Sequence, residues 1–217
     1  MSKKKLKRFT EFKEFTNTFD FAYEMKGKWK SDFFKNQHPL VLELGCGKGE
    51  YSVALAKQYP DKNFIGIDLK SNRMWKGASI ALEEKLSNVG FMRAVIDKIT
   101  ELFNENEVDE IWITFPDPYP KDRHEKHRLT SHKFLDRYKQ ILKNEGVINF
   151  KTDDDELFQY TLDTLKRLKI EAFDINWNVH ENEDSHPHLR EIKTHYEKLF
   201  MGRGRTIKYL KFKFNHT

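Results

Sequence analysis

Cysteine is nearly absent from this sequence of 217 residues, in which Cys46 is the one example. A single cysteine excludes an internal disulfide framework and a zinc site built from several thiolates. No apolar run approaches the ~20 residues that a membrane span needs, and the charged N-terminus lacks the apolar stretch of a secretory signal. We therefore expect a cytoplasmic protein that makes no contact with a membrane.

The composition nevertheless supplies a substantial core and a basic surface. Large apolar side chains come from 18 Phe and 4 Trp, and 39 Lys and Arg against 34 Asp and Glu give a net charge of +5. A basic balance suits a polyanionic partner such as a nucleic acid, although many basic proteins bind none. The length fits one domain. We expect a basic N-terminal arm over residues 1–30 and a single domain over residues 31–217.

Segments typical of strands and of helices alternate along most of the chain. The predicted strands are Pro39–Leu44, Asn63–Asp68, Val89–Ala94, Asp109–Phe115, Gly146–Thr152, Glu171–Val179 and Thr206–Phe214. The predicted helices are Gly49–Gln58, Ser71–Leu86, Asp97–Phe103, Ser131–Lys143, Asp154–Leu168 and Leu189–Phe200. Strands alternating with helices indicate βαβ units. The expected fold is α/β: a Rossmann-like, doubly wound, mostly parallel seven-stranded sheet with helices on both faces.

Basic and aromatic residues are interleaved in the N-terminal arm, at Lys3, Lys4, Lys5, Lys7, Arg8, Phe9, Phe12, Lys13, Phe15, Phe19 and Phe21. One interpretation is a flexible arm that becomes ordered on RNA. The other is a solvated tail followed by a helix that packs its Phe side chains on the domain. The first explains the Lys cluster better, and the second explains the Phe residues better.

A glycine-rich loop follows the first predicted strand, with the sequence Glu43-Leu44-Gly45-Cys46-Gly47-Lys48-Gly49. Glycines there permit a tight turn and let a ligand approach the backbone closely. The spacing is G-x-G-x-G, whereas a dinucleotide fingerprint reads G-x-G-x-x-G. Glu43 would repel a pyrophosphate but would favour a cation such as the sulfonium and ammonium groups of S-adenosylmethionine. Lys48 fits this interpretation if it faces solvent.

A second carboxylate, Asp68, ends the next predicted strand. In nucleotide-binding α/β folds, an acid at this position hydrogen-bonds the ribose hydroxyl groups. Together with the glycine loop, Asp68 predicts a binding site for an adenosine-containing cofactor. The alternative is a set of ordinary turn glycines and an Asp that caps a helix.

Asp117 stands between two prolines, directly after the apolar strand that contains Ile111-Trp112-Ile113. Ligands of open α/β sheets bind beyond the carboxyl ends of the strands, and flanking prolines restrict the backbone that carries the acid. A catalytic role competes here with ordinary turn chemistry. The basic run that follows extends from Lys121 to Lys133, and it is either an RNA-phosphate contact or a solvated loop.

Histidines are numerous, but their pattern does not indicate a metal site. His124, His127 and His132 form one group along the chain, and His180, His186 and His188 form another. The sequence contains neither a second cysteine nor an H-E-x-x-H pattern. We expect no metal.

In five motifs the chain resembles the bacterial tRNA (guanine-N7-)-methyltransferases, a family of class I S-adenosylmethionine-dependent enzymes. The motifs are Leu42 to Gly49, Phe115 to Lys121, Arg123 to Arg128, Phe150 to Asp153, and Thr194 to Glu197. The first is common to many methyltransferases, and the other four in this order are specific to the family. The resemblance covers nearly the whole chain after the arm.

The resemblance implies methyl transfer from S-adenosylmethionine to N7 of guanine 46 in the tRNA variable loop, by a monomer or a homodimer. It implies that Asp117 is catalytic and that the cofactor is bound by Glu43, Gly45, Gly47, Asp68 and Asp117. It further implies substrate contacts from Lys121, Arg123, His124, Glu125, Lys126, His127, Arg128, Asp153, Thr194, His195, Tyr196 and Glu197.

Two positions depart from the family pattern. The family usually has an acid at the end of the third strand, where this chain has Val95 with Asp97 two residues later. The adenine amino group would then meet either Asp97 or the backbone near Val95. Tyr119 stands where Trp is common, which preserves an aromatic surface.

The chemistry of guanine N7 indicates what the acids do. N7 carries an in-plane lone pair and no proton, so its attack on a methyl group needs alignment rather than a strong base. Asp117 and Asp153 would stabilise the positive charge that develops on the ring and would accept hydrogen bonds from guanine N1–H and its amino group. Without the family resemblance, the segment Thr194 to Glu197 would be typical of an amphipathic helix. Asp153 would then be typical of a helix cap.

Three other functions remain to be distinguished. A methyltransferase acting on another RNA base or an exocyclic amine would carry Asp/Asn-Pro-Pro-aromatic at the fourth strand, and Asp117-Pro118-Tyr119-Pro120 differs in order. A dehydrogenase is disfavoured by the glycine spacing and by Glu43. An RNA-binding protein without catalysis is disfavoured by the intact glycine loop and Asp68.

Overall fold

A computed structural model describes residues 3–181 and 187–215, and for residues 187 and 188 the backbone alone. His186 and His188 therefore lie outside the side chains that the structure describes. Strands occupy Thr18–Asp20 (β1), Leu40–Leu44 (β2), Asn63–Asp68 (β3), Val89–Arg93 (β4), Val108–Thr114 (β5), Leu142–Thr152 (β6), Glu171–Asn176 (β7) and Lys208–Lys213 (β8). Helices occupy Lys3–Glu14 (α1), Glu50–Gln58 (α2), Ser71–Glu83 (α3), Ile99–Leu102 (α4), His132–Ile141 (α5), Asp155–Arg167 (α6), Pro187–Glu191 (α7) and His195–Met201 (α8).

The strands form one sheet in the order β1-β4-β3-β2-β5-β6-β8-β7. Pairings from β1 through β6 are parallel, and β8 pairs antiparallel with both β6 and β7. The α/β, doubly wound, mostly parallel fold is confirmed. The described sheet has eight strands rather than the seven predicted, because Thr18 to Asp20 pairs with β4 and forms the edge of the sheet.

Alternation along the strands places one core on each face of the sheet. In β2, Leu40, Leu42 and Leu44 belong to one apolar cluster and Val41 belongs to the other. Side chains of α4, α5 and α6 complete the first cluster, and side chains of α1, α2 and α3 contribute to the second. Helices cover both faces because β2, β3, β4 and β5 each contribute apolar residues to both clusters.

The end of the chain differs most from the sequence prediction. The single helix predicted over Leu189–Phe200 is wrong, since α7 ends at Glu191 and α8 begins at His195. Thr194 causes the break, because its Oγ1 accepts a hydrogen bond from the Glu197 amide at 3.2 Å and caps α8. A side-chain oxygen at this position satisfies a free amide and starts a new helix.

The basic arm contains a helix that packs on the domain. In α1, Phe12 is buried, and Phe15, just after the helix, lies 6.5 Å from the ring of Trp75 in α3. Lys3, Lys4 and Lys5 are exposed. The division at residue 30 stays a prediction, as does an ordering of the arm on RNA. No helix in the described ranges is long and apolar enough to cross a membrane.

Candidate functional site

The glycine loop lies at the carboxyl end of β2 in a conformation that requires glycine. Gly45, Gly47 and Gly49 have φ angles of +75°, +56° and +70°, a region that residues with a Cβ rarely adopt. A Cβ on Gly49 would overlap the ring of Phe91, whereas a Cβ on Gly47 or Gly45 would meet no atom closer than 4.0 or 3.7 Å, respectively. Gly49 therefore serves packing, and Gly45 and Gly47 leave the backbone accessible to a ligand.

Glu43 is buried beneath this loop. Its Oε2 accepts hydrogen bonds from the Ser52 amide at 2.9 Å and from the Ser52 hydroxyl, and its Oε1 accepts one from Thr114 Oγ1 at 2.9 Å. Burial raises the pKa of the Glu43 carboxyl to about 7, against the opposing effect of these hydrogen bonds. Glu43 thus joins β2, β5 and the first turn of α2, and its negative charge is the kind that a nearby cation would stabilise.

Asp68 connects the end of β3 to the glycine loop. Its Oδ2 accepts a hydrogen bond from the Gly47 amide at 3.0 Å, and its Oδ1 accepts one from the Lys70 amide at 2.8 Å. Lys70, not Asp68, is the residue that precedes α3, so the helix-cap alternative does not describe this acid. The ribose contact stays a prediction.

The third predicted strand, which is β4 in the structure, ends without a free acid. Val95 exposes 36% of its surface, and Leu69, which follows the adjacent β3, exposes 53%. Asp97 forms ion pairs with Lys133 and, at 3.1 Å, with Arg137, and both cations belong to α5. Because Asp97 is held by α5, the backbone near Val95 is the better placed of the two candidates for an adenine amino group.

Asp117 is exposed on a loop held at both ends by unusual backbone. Phe115 and Tyr119 have φ angles of +49° and +45°, a costly conformation for aromatic residues. The Asp117 side chain makes no hydrogen bond or ion pair with any described residue. The loop therefore presents an unpartnered carboxylate at the carboxyl edge of β5.

Arg128 holds this loop in place. Its Nε donates to the Pro118 and Tyr119 carbonyls at 3.2 Å, its Nη2 donates to Tyr119 at 3.0 Å, and its guanidinium lies 4.2 Å from the centre of the Tyr160 ring. Tyr160 in turn donates to Glu125 at 2.6 Å. These contacts give Arg128 and Glu125 a structural role, and an RNA contact by either stays a prediction.

Three other cations of the basic run remain available. Lys121, Arg123 and Lys126 are exposed and make no side-chain hydrogen bond or ion pair in the part of the chain that the structure describes. The rings of His124 and His127 lie 6.3 and 5.6 Å from the ring of Tyr119. Three exposed cations and a group of three rings thus follow Asp117 along the chain. Among described residues, no group of His, Cys, Asp and Glu is arranged to hold a metal ion.

Asp154, and not Asp153, takes the helix-cap role that the sequence left open. Asp154 caps α6 by accepting a hydrogen bond from the Leu157 amide at 2.7 Å. Asp153 instead pairs with Arg205 at 2.6 Å. Because β5 and β6 are adjacent and parallel, with Thr114 opposite Lys151, Asp117 and Asp153 lie at the same edge of the sheet. A cavity of about 520 Å³ begins at Asp153 and is lined by Asp154, Asp155, Glu156, Gly204, Arg205, Thr206 and Lys208.

The motif Thr194 to Glu197 is partly buried. Glu197 exposes no surface and pairs with Lys151 and His180, each at 2.9 Å. Thr194 is occupied as the cap of α8, and the His195 amide donates to Glu50 at 2.8 Å. Tyr196 is 37% exposed and stacks 6.2 Å from Phe200. His195 and Tyr196 are the exposed members of the motif, and the substrate roles of all four residues stay predictions.

Sequence reasoning missed the partners of these acids. Ser52 and Thr114 bind Glu43, Lys151 binds Glu197, and Arg205 binds Asp153. The position of Lys151 could have indicated its partner, because a lysine directly after the run Val147 to Phe150, within the same strand, needs a buried partner. The sequence gives no indication of a partner for Arg205, since an arginine in a glycine-rich segment is usually solvated.

Comparisons with known proteins give one consistent family. A family model described as "Putative methyltransferase" matches residues 37–210. The tRNA (guanine-N(7)-)-methyltransferase of Christiangramia forsetii is 49% identical over 98% of both chains. The protein of the same name from Bacteroides thetaiotaomicron is 41% identical over 98% of this chain and 86% of its own. An antibiotic-related methyltransferase of known structure, 18% identical, superimposes with a TM-score of 0.67 over 93% of this chain and 98% of its own, which shows a shared fold.

Proposed function

The chain belongs to the tRNA (guanine-N(7)-)-methyltransferase family, and we propose that it transfers a methyl group from S-adenosylmethionine to N7 of guanine in tRNA. The observation that carries this proposal is the 49% identity to a curated relative over 98% of both chains. We further propose guanine 46 of the variable loop as the target, with 7-methylguanosine as the product.

The acids and the open backbone at the ends of β2 and β3 fit S-adenosylmethionine. Bound there, this molecule supplies an electrophilic methyl group on a sulfonium ion. Gly45 and Gly47 would let it approach the backbone closely, and Glu43 would supply negative charge beneath the loop. Asp68 would hydrogen-bond the ribose hydroxyl groups. Leu69 and Val95 supply exposed apolar surface at the same edge, which an adenine ring would cover.

Asp117 and Asp153 would act on the guanine. N7 has no proton to lose, so the protein has to align the base and stabilise the charge that the ring gains. Two carboxylates at adjacent strand ends suit both tasks, because they attract the cationic product and accept hydrogen bonds from guanine N1–H and N2–H. Adenine offers no such pair of donors.

The basic run beside Asp117 would bind the RNA backbone. Lys121, Arg123 and Lys126 are exposed, and Lys and Arg side chains bind phosphates while displacing counterions. The Tyr119, His124 and His127 rings offer a surface on which an unpaired base can stack.

The direct test is incubation of the protein with methyl-labelled S-adenosylmethionine and unmodified total tRNA, followed by nucleoside analysis. We expect label in 7-methylguanosine, and label elsewhere would indicate a methyltransferase for another base or an exocyclic amine. A transcript whose guanine 46 is replaced by adenine should lose the label if the position is correct. Absence of label, together with a melting temperature that does not rise with S-adenosylmethionine, would indicate an RNA-binding protein without catalysis.

A further inference from the structure

Asp153 is occupied by a side chain of the protein itself. Arg205 Nη1 lies 2.6 Å from Asp153 Oδ2, and Arg205 is the one side chain in the described part of the chain that pairs with this carboxylate. Lys208, although close, donates to the Asp153 and Thr206 carbonyls and pairs with Asp155. The acid that we expect to bind guanine is thus neutralised by one arginine.

The same guanidinium lies beside an aromatic ring. The Arg205 group is 5.8 Å from the centre of the Phe200 ring, which in turn lies 5.9 Å from Phe115 and 6.2 Å from Tyr196. Phe115 begins the loop that carries Asp117. An aromatic row therefore extends from Asp117's loop to the place where Arg205 meets Asp153.

Arginine and guanine share the chemistry that these two contacts require. The N1–C2–N2 edge of guanine is itself a guanidine unit, planar, with N–H donors that a carboxylate accepts side by side. Both groups also stack on aromatic faces. We propose that Arg205 is an internal placeholder in a guanine subsite formed by Asp153 and Phe200, and that the target base displaces it. This inference rests on the proposed function.

The two partners differ in how easily they can move. The Arg205 side chain is 51% exposed, whereas the Asp153 side chain is 9% exposed. Arg205 follows Gly204, which has a φ of +73° and at which an added Cβ would meet no atom within 4 Å, so the turn is unobstructed. Asp153 is fixed between β6 and α6. A nearly buried carboxylate is costly without a donor, and Arg205 supplies one until guanine arrives.

A fixed ion pair is the competing explanation. In that case Arg205 would orient Asp153 permanently, and its removal would weaken guanine binding. A placeholder has the opposite effect, because the fraction of protein with a free subsite rises when the internal competitor is removed. The sign of the change in guanosine affinity therefore separates the two explanations.

The experiment measures guanosine binding to the full chain by ligand-observed NMR, in the absence of tRNA and S-adenosylmethionine. Guanosine carries the base and no phosphate, so the measurement reports the subsite alone. We expect Arg205→Ala to bind guanosine about fivefold more tightly than the unaltered protein, as loss of a half-exposed ion-pair competitor implies. Arg203→Ala, which removes an exposed arginine two residues earlier, should leave the affinity unchanged, and no variant should bind adenosine more tightly.

Unchanged or weaker guanosine binding by Arg205→Ala would overturn the inference, as would binding that stays undetectable in both proteins. Adding Phe200→Leu to Arg205→Ala should remove the gain in affinity, and equal melting temperatures would show that the fold is intact. The result is independent of methyl transfer. Failure of the proposed function would appear as absence of label in tRNA, whatever the outcome with guanosine.

Discussion

The carboxylate of Glu197 lies 2.9 Å from Lys151 Nζ although neither side chain exposes any surface. His180 approaches the other carboxylate oxygen at 2.9 Å, and Lys151 also donates to the Leu189 carbonyl at 2.7 Å. One buried acid therefore joins β6, the segment after β7, and α8. Burial lowers the pKa of Lys151, and the neighbouring Glu197 charge opposes that change.

Glu197→Ala should destabilise the protein by about 3–5 kcal/mol, because it leaves the Lys151 charge buried without its acid. Urea-induced unfolding measures the loss. The double variant Lys151→Met, Glu197→Leu removes both charges and should recover much of that stability. If Glu197→Ala were as stable as the unaltered protein, the contacts of Glu197 with Lys151 and His180 would not contribute to stability as the distances indicate.

Glu43→Gln should stabilise the protein at pH 8. Burial raises the pKa of Glu43 from 4.5 to about 7, so the folded chain binds this proton more tightly than the unfolded chain does. Stability is therefore lost as pH rises from about 4.5 to about 7, by an amount on the order of 3 kcal/mol above that range. A glutamine avoids this loss, so the gain should be large at pH 8 and small at pH 5.

Thermal unfolding at both pH values measures this difference, and Glu145→Gln, which alters an exposed acid, is the matched control. A gain that is the same at pH 5 and pH 8 would contradict the buried-carboxyl explanation. The same substitution should weaken S-adenosylmethionine binding, since it removes negative charge beneath the glycine loop.

Gly47→Ala and Gly49→Ala should separate binding from folding. Both impose a positive φ on alanine at a cost of roughly 1–2 kcal/mol, and Gly49→Ala adds the overlap with Phe91, about 1–3 kcal/mol more. Melting temperature should therefore fall further in Gly49→Ala. Gly47→Ala should instead raise the dissociation constant of S-adenosylmethionine, measured by calorimetry. Equal effects of both substitutions on stability and on binding would contradict this division.

Asp117→Asn should lower kcat about a hundredfold, a typical effect of removing one charge-stabilising group from an active site. Because Asp117 is exposed and unpartnered among the described residues, the melting temperature should not change. Single-turnover methylation of tRNA measures the rate. Near-normal rates in both Asp117→Asn and Asp153→Asn would overturn electrostatic stabilisation by these acids.

Arg128→Ala and Lys126→Ala should differ in their dependence on salt. Lys126 is exposed, and its loss should reduce the slope of log affinity against log salt by about 0.7–0.9 for one phosphate contact. Arg128 is committed to the Pro118 and Tyr119 carbonyls, so its loss should lower kcat and leave the slope unchanged. Filter binding of tRNA at several salt concentrations gives both slopes. A changed slope in Arg128→Ala would support the RNA contact that was predicted for Arg128.

Local patterns were enough to predict most of the architecture. The central strands follow from apolar runs and the helices between them from periodicity, and most lie close to the predicted bounds. The main exception is β6, which begins at Leu142, four residues before its predicted start and inside the helix predicted over Ser131–Lys143. The break between α7 and α8 and the strand Thr18–Asp20 were not predicted. A three-residue edge strand has too short a pattern to detect, and a capping threonine looks like any polar residue within an amphipathic run.

The sequence by itself determined the position of the site residues. Acids and glycines follow the strands, and parallel strands bring those positions to one edge of the sheet. Only the tertiary structure decided which of these groups are free. Glu43, Glu197 and Arg128 are used by internal partners, Asp117 is not, and Asp153 is held by Arg205 from a turn 52 residues away. Such pairings depend on how distant segments pack, and the spacing of residues along the chain does not predict them.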